Sequence, residues 1–253
     1  MNATRKQGFT MIELLVVIVI IGILAASLFG PVTNFMLQGN LTGMMGNGRK
    51  VVQAIIAADM SGRYDGRAWP AAENKDLKDS EESSTSGPDM YQDFSKTSDY
   101  FAEALYVKET DVTKRNRLKV LKDIEPAMIA GQGVPAAKGT TLDERNCAWI
   151  LAKNTAQAPA NAPVFVTRNF DGTKLVTVAG NDTTTDVDQL MNDQKPFGKT
   201  GGVVIRKDGS GSKFGADEIY PNKILEGLGS SKLSDYQQGE GNKFAFMQSG
   251  SSK

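Results

Sequence analysis

Histidine is absent from all 253 residues of this chain. With it go the commonest general base, the commonest metal ligand and the usual activator of a nucleophilic serine or cysteine. There is one cysteine, Cys147, so no intrachain disulfide can form and a cysteine-rich zinc site is excluded. In the run Cys147-Ala148-Trp149-Ile150-Leu151 it reads as a small buried core residue. Net charge is missing too: 29 basic residues balance 29 acidic ones. The whole-chain balance therefore points to no polyanionic partner. There is no Walker-type phosphate loop, no dinucleotide fingerprint, no hydrolase elbow and no internal repeat. Together these absences weigh against an enzyme.

What the chain does have is concentrated at its amino terminus. Residues 1–8, Met-Asn-Ala-Thr-Arg-Lys-Gln-Gly, carry two positive charges, Arg5 and Lys6, and no acid. Phe9-Thr10-Met11-Ile12-Glu13 follows, and then 19 uncharged residues from Leu14 through Val32. As a helix that stretch rises roughly 28 Å, close to the thickness of a bilayer hydrocarbon core. The basic residues precede it, so Met1 is expected on the cytoplasmic side and residue 33 onward across the membrane. An ordinary secretory signal would be cut after the apolar run, near Ala25-Ala26-Ser27. The run is too long and too rich in β-branched residues for that, and Glu13 stands near its beginning. A carboxylate costs about 2.5–3.5 kcal/mol at the centre of a membrane helix and less near its end. That cost needs a compensating partner.

The string Gly8-Phe9-Thr10-Met11-Ile12-Glu13-Leu14-Leu15-Val16-Val17 closely resembles the cleavage and methylation motif of type IV prepilins and type II secretion pseudopilins. The resemblance covers about residues 5–32. It implies that a prepilin peptidase cuts between Gly8 and Phe9 and methylates the new amine of Phe9, and that Phe9 and Glu13 act in filament assembly. The physical reasoning agrees. Cutting before the apolar run leaves the helix as an anchor and places a cationic amine one helical turn from Glu13. In a filament, Glu13 of one subunit can neutralise the amine of its neighbour in an apolar core, where an unpaired charge would be strongly destabilising. The resemblance further implies an α+β fold, a long N-terminal hydrophobic helix packed on a small antiparallel sheet. It also implies homo-oligomers mixed with related minor subunits, anchored in the inner membrane before assembly and periplasmic or extracellular afterwards.

Three segments are expected: a basic leader over 1–8, a transmembrane and assembly helix over 9–60, and a soluble α+β head over 61–253. Gly22, Gly30 and Pro31 are expected to kink the helix. Gly39, Gly43, Gly46 and Gly48 crowd the next segment at about 1 kcal/mol each against alanine. Either the helix is interrupted near 30–48, which is the expectation, or close packing there needs small residues. Val52, Ile55, Ile56 and Met60 form an apolar stripe that should face the head. Residues 71–99 read as a long acidic surface loop. Ser98-Asp99 caps an expected helix to Val107, and Asp111 another containing Leu118, Leu121 and Ile124. The bases Lys114, Arg115, Arg117, Lys119 and Lys122 of the latter lack interleaved aromatics, so no nucleic-acid contact is expected. Strands are expected at Cys147–Ala152, Pro163–Thr167, Lys174–Ala179 and Gly202–Lys207, the last ended by Asp208-Gly209.

Asp182, Asp186 and Asp188 cluster in a polar loop. They are weak calcium candidates, because the spacing lacks the central glycine and terminal glutamate of a full calcium loop; no other cofactor is expected. Within the resembling family a pseudopilin is favoured, since many long-pilus subunits staple the head with a cysteine pair. A type IV pilin for adhesion, motility or DNA uptake, or a minor tip subunit, is the alternative. A membrane-anchored enzyme or binding protein is the third class.

Overall fold

The computed structural model describes residues 9–60, 69, 147–153, 155, 158–185, 187–194, 196–215, 224, 232–235, 237, 238 and 242–247. The expectations for the leader, for the acidic loop and for the two helices between 98 and 125 lie outside those residues. The chain divides into two compact units, residues 1–39 and 40–253.

Helix α1 runs from Met11 to Met60 without a break. This corrects the expected interruption near 30–48. Every described side chain from Phe9 to Leu28 is exposed, and the helix is long and apolar enough to cross a membrane. Gly22, Gly30 and Pro31 all lie inside it. Proline removes one hydrogen bond of the helix and leaves the others in place. No formal charge occurs from Leu14 through Gly48.

In the second unit the helix continues through the glycines because one face of it is buried. Leu41, Met44, Val51, Val52 and Ile55 are fully enclosed. Burial contributes about 1.5–3 kcal/mol for each such side chain, against about 1 kcal/mol lost at each glycine. Packing therefore outweighs propensity. The expected stripe is also shifted. Val52 and Ile55 face inward, Ile56 is half-buried, and Met60 is 82% exposed. The inward face begins at Leu41, eleven residues before the sequence reading placed it.

That face covers an antiparallel sheet of β1 (Trp149–Lys153), β2 (Pro163–Thr167), β3 (Gly201–Arg206), β4 (Gly211–Gly215) and β7 (Ala245–Phe246). The strand order is β4-β3-β2-β1-β7. Two further short strands, β5 (Gln237–Gln238) and β6 (Asn242–Lys243), pair with each other. Trp149 pairs with Thr167, Ile150 with Val166, and Val166 with Val204. Gly48 is the point of closest approach. A Cβ added there would stand 2.7 Å from Ile205 and 2.8 Å from the Trp149 ring. Of the two readings left open for the glycines, close packing is the correct one at Gly48. Gly39 and Gly46 face open space.

The opposite face of the sheet is also covered. Ile150, Val166, Val204 and Phe214 join Phe170, Leu175, Leu190, Met191, Leu233 and Phe244 in one apolar core. Burial on both faces explains why β2 and β3 are enclosed along their whole length, since a strand buried on both sides has no polar side to alternate with. The expected strand Lys174–Ala179 is not a strand. Helix α2 spans Gly172–Thr177, and its N-cap Asp171 accepts from the backbone N–H groups of Thr173 and Lys174. The cap and the burial of Leu175 overrule the β-branched run Val176-Thr177-Val178.

A buried polar run, Thr167-Arg168-Asn169, ties the second unit together. The Thr167 hydroxyl accepts from Val203 N–H, and the Arg168 guanidinium donates to the Cys147 carbonyl at 3.1 Å. Asn169 Nδ2 donates to the carbonyls of Gly198 and Gly201 at 2.6 and 2.7 Å. Burial lowers the Arg168 pKa from its ordinary value and pushes the Cys147 thiol up to about 12. Cys147 is 3% exposed, so the expected core role is what the structure shows.

Candidate processing and assembly site

The start of α1 is built by Thr10, Glu13 and Leu14. Thr10 is the N-cap and Glu13 the third helical residue. The Thr10 backbone N–H donates to Glu13 Oε2 at 2.8 Å, and the Thr10 hydroxyl donates to the same oxygen at 2.8 Å. In return Glu13 N–H donates to Thr10 Oγ1 at 3.3 Å. Leu14 N–H bonds the Thr10 carbonyl at 3.3 Å to open the helix. These reciprocal bonds form a capping box, which satisfies backbone donors that a helix start leaves unpaired. The signal Thr10-x-x-Glu13 was in the sequence. Reading Glu13 for its charge alone passed over Thr10.

The cap turns the Glu13 carboxylate back toward the amino-terminal end of the helix. Both Thr10 bonds fall on Oε2; among the described residues Oε1 is left to accept another donor. Phe9 is 83% exposed beside it. Gly8 lies outside the described residues. The carboxylate stands at the edge of a wholly apolar, uncovered surface from Leu14 to Leu28, with only Ser27 polar. Ser27 disposes of its own donor, bonding the Leu24 carbonyl at 2.8 Å. A charge-bearing first turn followed by a bare apolar cylinder can pair with a cation and then bury both groups in helix-to-helix contact.

The calcium candidates are elsewhere, in the second unit. The Asp182 carboxylate accepts from the backbone N–H and hydroxyl groups of both Thr184 and Thr185 at 2.8–3.1 Å. These bonds, the Thr184 N–H first, hold its pKa down at about 2. Asp186 lies outside the described residues, as does the side chain of Asp188. Among the described residues no three histidine, cysteine, aspartate or glutamate side chains gather as a metal site. A calcium cage takes six to eight oxygens, and of the three candidate carboxylates only that of Asp182 is described.

A membrane-length apolar helix with a capped acid in its first turn, carrying an α+β unit at its far end in sequence, has the layout of a single-pass anchored subunit. Residues 3–29 match the family model described as the prokaryotic N-terminal methylation motif. The chain thus carries the type IV prepilin-like signal, and the motif supports a type IV pilin-like or pseudopilin subunit. It implies processing by prepilin peptidase and filament assembly with other pilin subunits. It agrees with single-pass anchoring in the inner membrane. No curated relative and no solved structure matches the chain.

Proposed function

We propose that this chain is a pseudopilin of a type II secretion system, a subunit of a filament that helps drive folded proteins outward. The observation that carries the filament role is the capped Glu13 at the start of a bare apolar helix, inside the matched methylation motif. After cleavage behind Gly8, the Phe9 amine of an incoming subunit donates to the free Oε1 of Glu13 in its neighbour. The pair neutralises both charges, fixes the axial register, and lets the apolar surfaces of Leu14–Leu28 meet. Support for a secretion filament over a surface pilus comes from Cys147. It is the single cysteine and it is buried, so the unit has no disulfide staple against forces on an exposed fibre. The test is deletion of the gene with complementation by the full chain. Loss of exoprotein secretion, with filaments retained in the periplasm, is the expected result. Surface filaments recovered by shearing, with secretion intact, would assign the chain to a type IV pilus instead.

A further inference from the structure

Strand β4 closes one end of the sheet, and among the described residues it pairs with β3 alone. The hairpin joining them decides which of its backbone groups are used. Arg206 N–H donates to the Ser210 carbonyl at 2.8 Å, so these two residues form a hydrogen-bonded pair. Such pairs alternate along an antiparallel ladder. Ser212 and Phe214 therefore turn their N–H and C=O groups toward β3, opposite Val204 and Gly202. Gly211, Lys213 and Gly215 turn theirs to the outer edge. The Gly211 carbonyl is taken there by Arg49 Nη2 at 3.3 Å. Among the described residues the N–H and C=O of Lys213 have no partner.

The α1 side of this edge is positively charged. Side chains alternate along a strand, so positions 211 and 213 face the same way. Lys213 Nζ donates to the Thr42 hydroxyl of α1 at 2.8 Å, and a Cβ on Gly211 would stand 3.2 Å from Arg49 Nε. Among the described residues neither cation has a carboxylate partner, and Arg49 Nε is buried with no acceptor. Lys213 is exposed. Its place at the middle of the strand selects the partner. Two copies of β4 paired antiparallel about their centres would set lysine against lysine, and like charges directly opposite are destabilising. An extended segment with acids two residues apart fits instead. One acid falls opposite Lys213, and the other opposite Gly211, beside Arg49. Residues 71–99 hold eight acids against three bases, and within them Asp79 and Glu81 have that spacing.

We infer that the outer edge of β4 is a docking site for the stretch Asp79-Ser80-Glu81-Glu82 of a second copy of this chain, added as a further strand. Backbone bonds to Lys213 supply the attachment, and the two ion pairs supply the register. The meeting of two copies rests on the filament reading; recognition of the segment by the edge does not.

The full chain in detergent is titrated with a synthetic peptide of residues 71–99 while the amides of Lys213 and Gly215 are followed by NMR. The expected result is saturable shifts at both, with slowed hydrogen exchange at the Lys213 amide. Lys213→Glu should weaken binding about 3- to 10-fold, the scale of a few exposed ion pairs, with thermal unfolding unchanged. A peptide carrying Asp79→Lys and Glu81→Lys should restore binding to that variant and bind the native chain poorly. Unmoved amides would overturn the proposal, as would equal binding of the two peptides by the native chain. In cells, chains bearing Glu81→Cys expressed with chains bearing Lys213→Cys should give a mixed dimer with a short bis-maleimide; Cys147, 3% exposed, stays out of the reaction. Peptide binding without that dimer would overturn the second copy as the occupant. Filaments still recovered from the same cells would show that the filament reading survives that result.

Discussion

Glu13 has two employers at the residue scale. Within its own subunit it closes the Thr10 capping box, and between subunits it is proposed to take the Phe9 amine. Substitutions separate these roles. Glu13→Ala should leave cleavage after Gly8 intact and make membrane insertion easier, because it removes a charge from the edge of the apolar segment. Filament yield should drop sharply. Gel shift for cleavage and cross-linked filament yield, followed in the same cells, test this; normal assembly of the cleaved variant would refute the pairing role. Thr10→Ala should cost about 1 kcal/mol of helix-start stability, visible as faster amide exchange over the first turn. It retains the backbone bond to Oε2, so assembly should suffer less than in Glu13→Ala. Asp182 has a pH signature. Its folded pKa of about 2 lies below the ordinary 3.8, so its turn is stabilised by ionisation. That stabilisation is complete above the ordinary value and is lost as pH falls through the folded one. An NMR titration of the Asp182 carboxylate should show the low midpoint, and Asp182→Asn should abolish this pH dependence of the Thr184 and Thr185 amides.

Glycines of the same helix behave oppositely at the scale of the element. Gly48 meets Ile205 and Trp149 with no room for a Cβ, and Gly46 meets nothing within 4 Å. Gly48→Ala should therefore destabilise the second unit by about 1–3 kcal/mol, the usual cost of overpacking. Gly46→Ala should stabilise it by up to about 1 kcal/mol through helix propensity. Thermal unfolding by near-ultraviolet circular dichroism of the two variants checks both signs. The pair shows why sequence reading went astray over 30–48. A glycine carries the same local penalty wherever it stands, and only the facing side chain decides whether it is tolerated or required. Strands β2 and β3 were legible because turn formers bound short β-branched runs. β4 was not, because Gly-Ser-Lys-Phe-Gly holds no β-branched residue and is placed by pairing to β3. Lys174–Ala179 misled because its β-branched residues are recruited by the Asp171 cap. The methylation motif was legible, since it is a local chemical signal; the close approach at Gly48 was not, since Trp149 and Ile205 lie far from it in the chain.

The boundary between the two units falls inside α1, at Gly39 and Asn40, and this sets the whole-molecule expectations. A fragment of residues 40–253 should be more stable than one of 50–253, which lacks the buried Leu41 and Met44. Each contributes about 1.5–3 kcal/mol. A fragment of 62–253 should be the least stable, having lost the whole inward face. Equal melting temperatures for the three would show that the helix adds nothing to the sheet. Intact mass measurement of membrane-extracted protein should give a chain beginning at a methylated Phe9. Loss of Arg5 and Lys6 with the leader leaves 27 basic residues against 29 acidic ones, a net charge of −2. A mass corresponding to cleavage near Ala26 would contradict the filament reading.

The uncharged stretch from Leu14 to Gly48 has an electrical consequence. In a chain cleaved behind Gly8 as proposed, the only formal charges before Arg49 are the Phe9 amine and the Glu13 carboxylate, which cancel. Withdrawing the helix outward from the membrane then moves no net charge across the transmembrane voltage. A lone positive charge would cost about 2.3 kcal/mol for every 100 mV it climbs. On the proposed cleavage and pairing, Glu13 makes the journey into the filament indifferent to how strongly the cell is energised, and Glu13→Ala should couple each subunit's departure to the membrane potential.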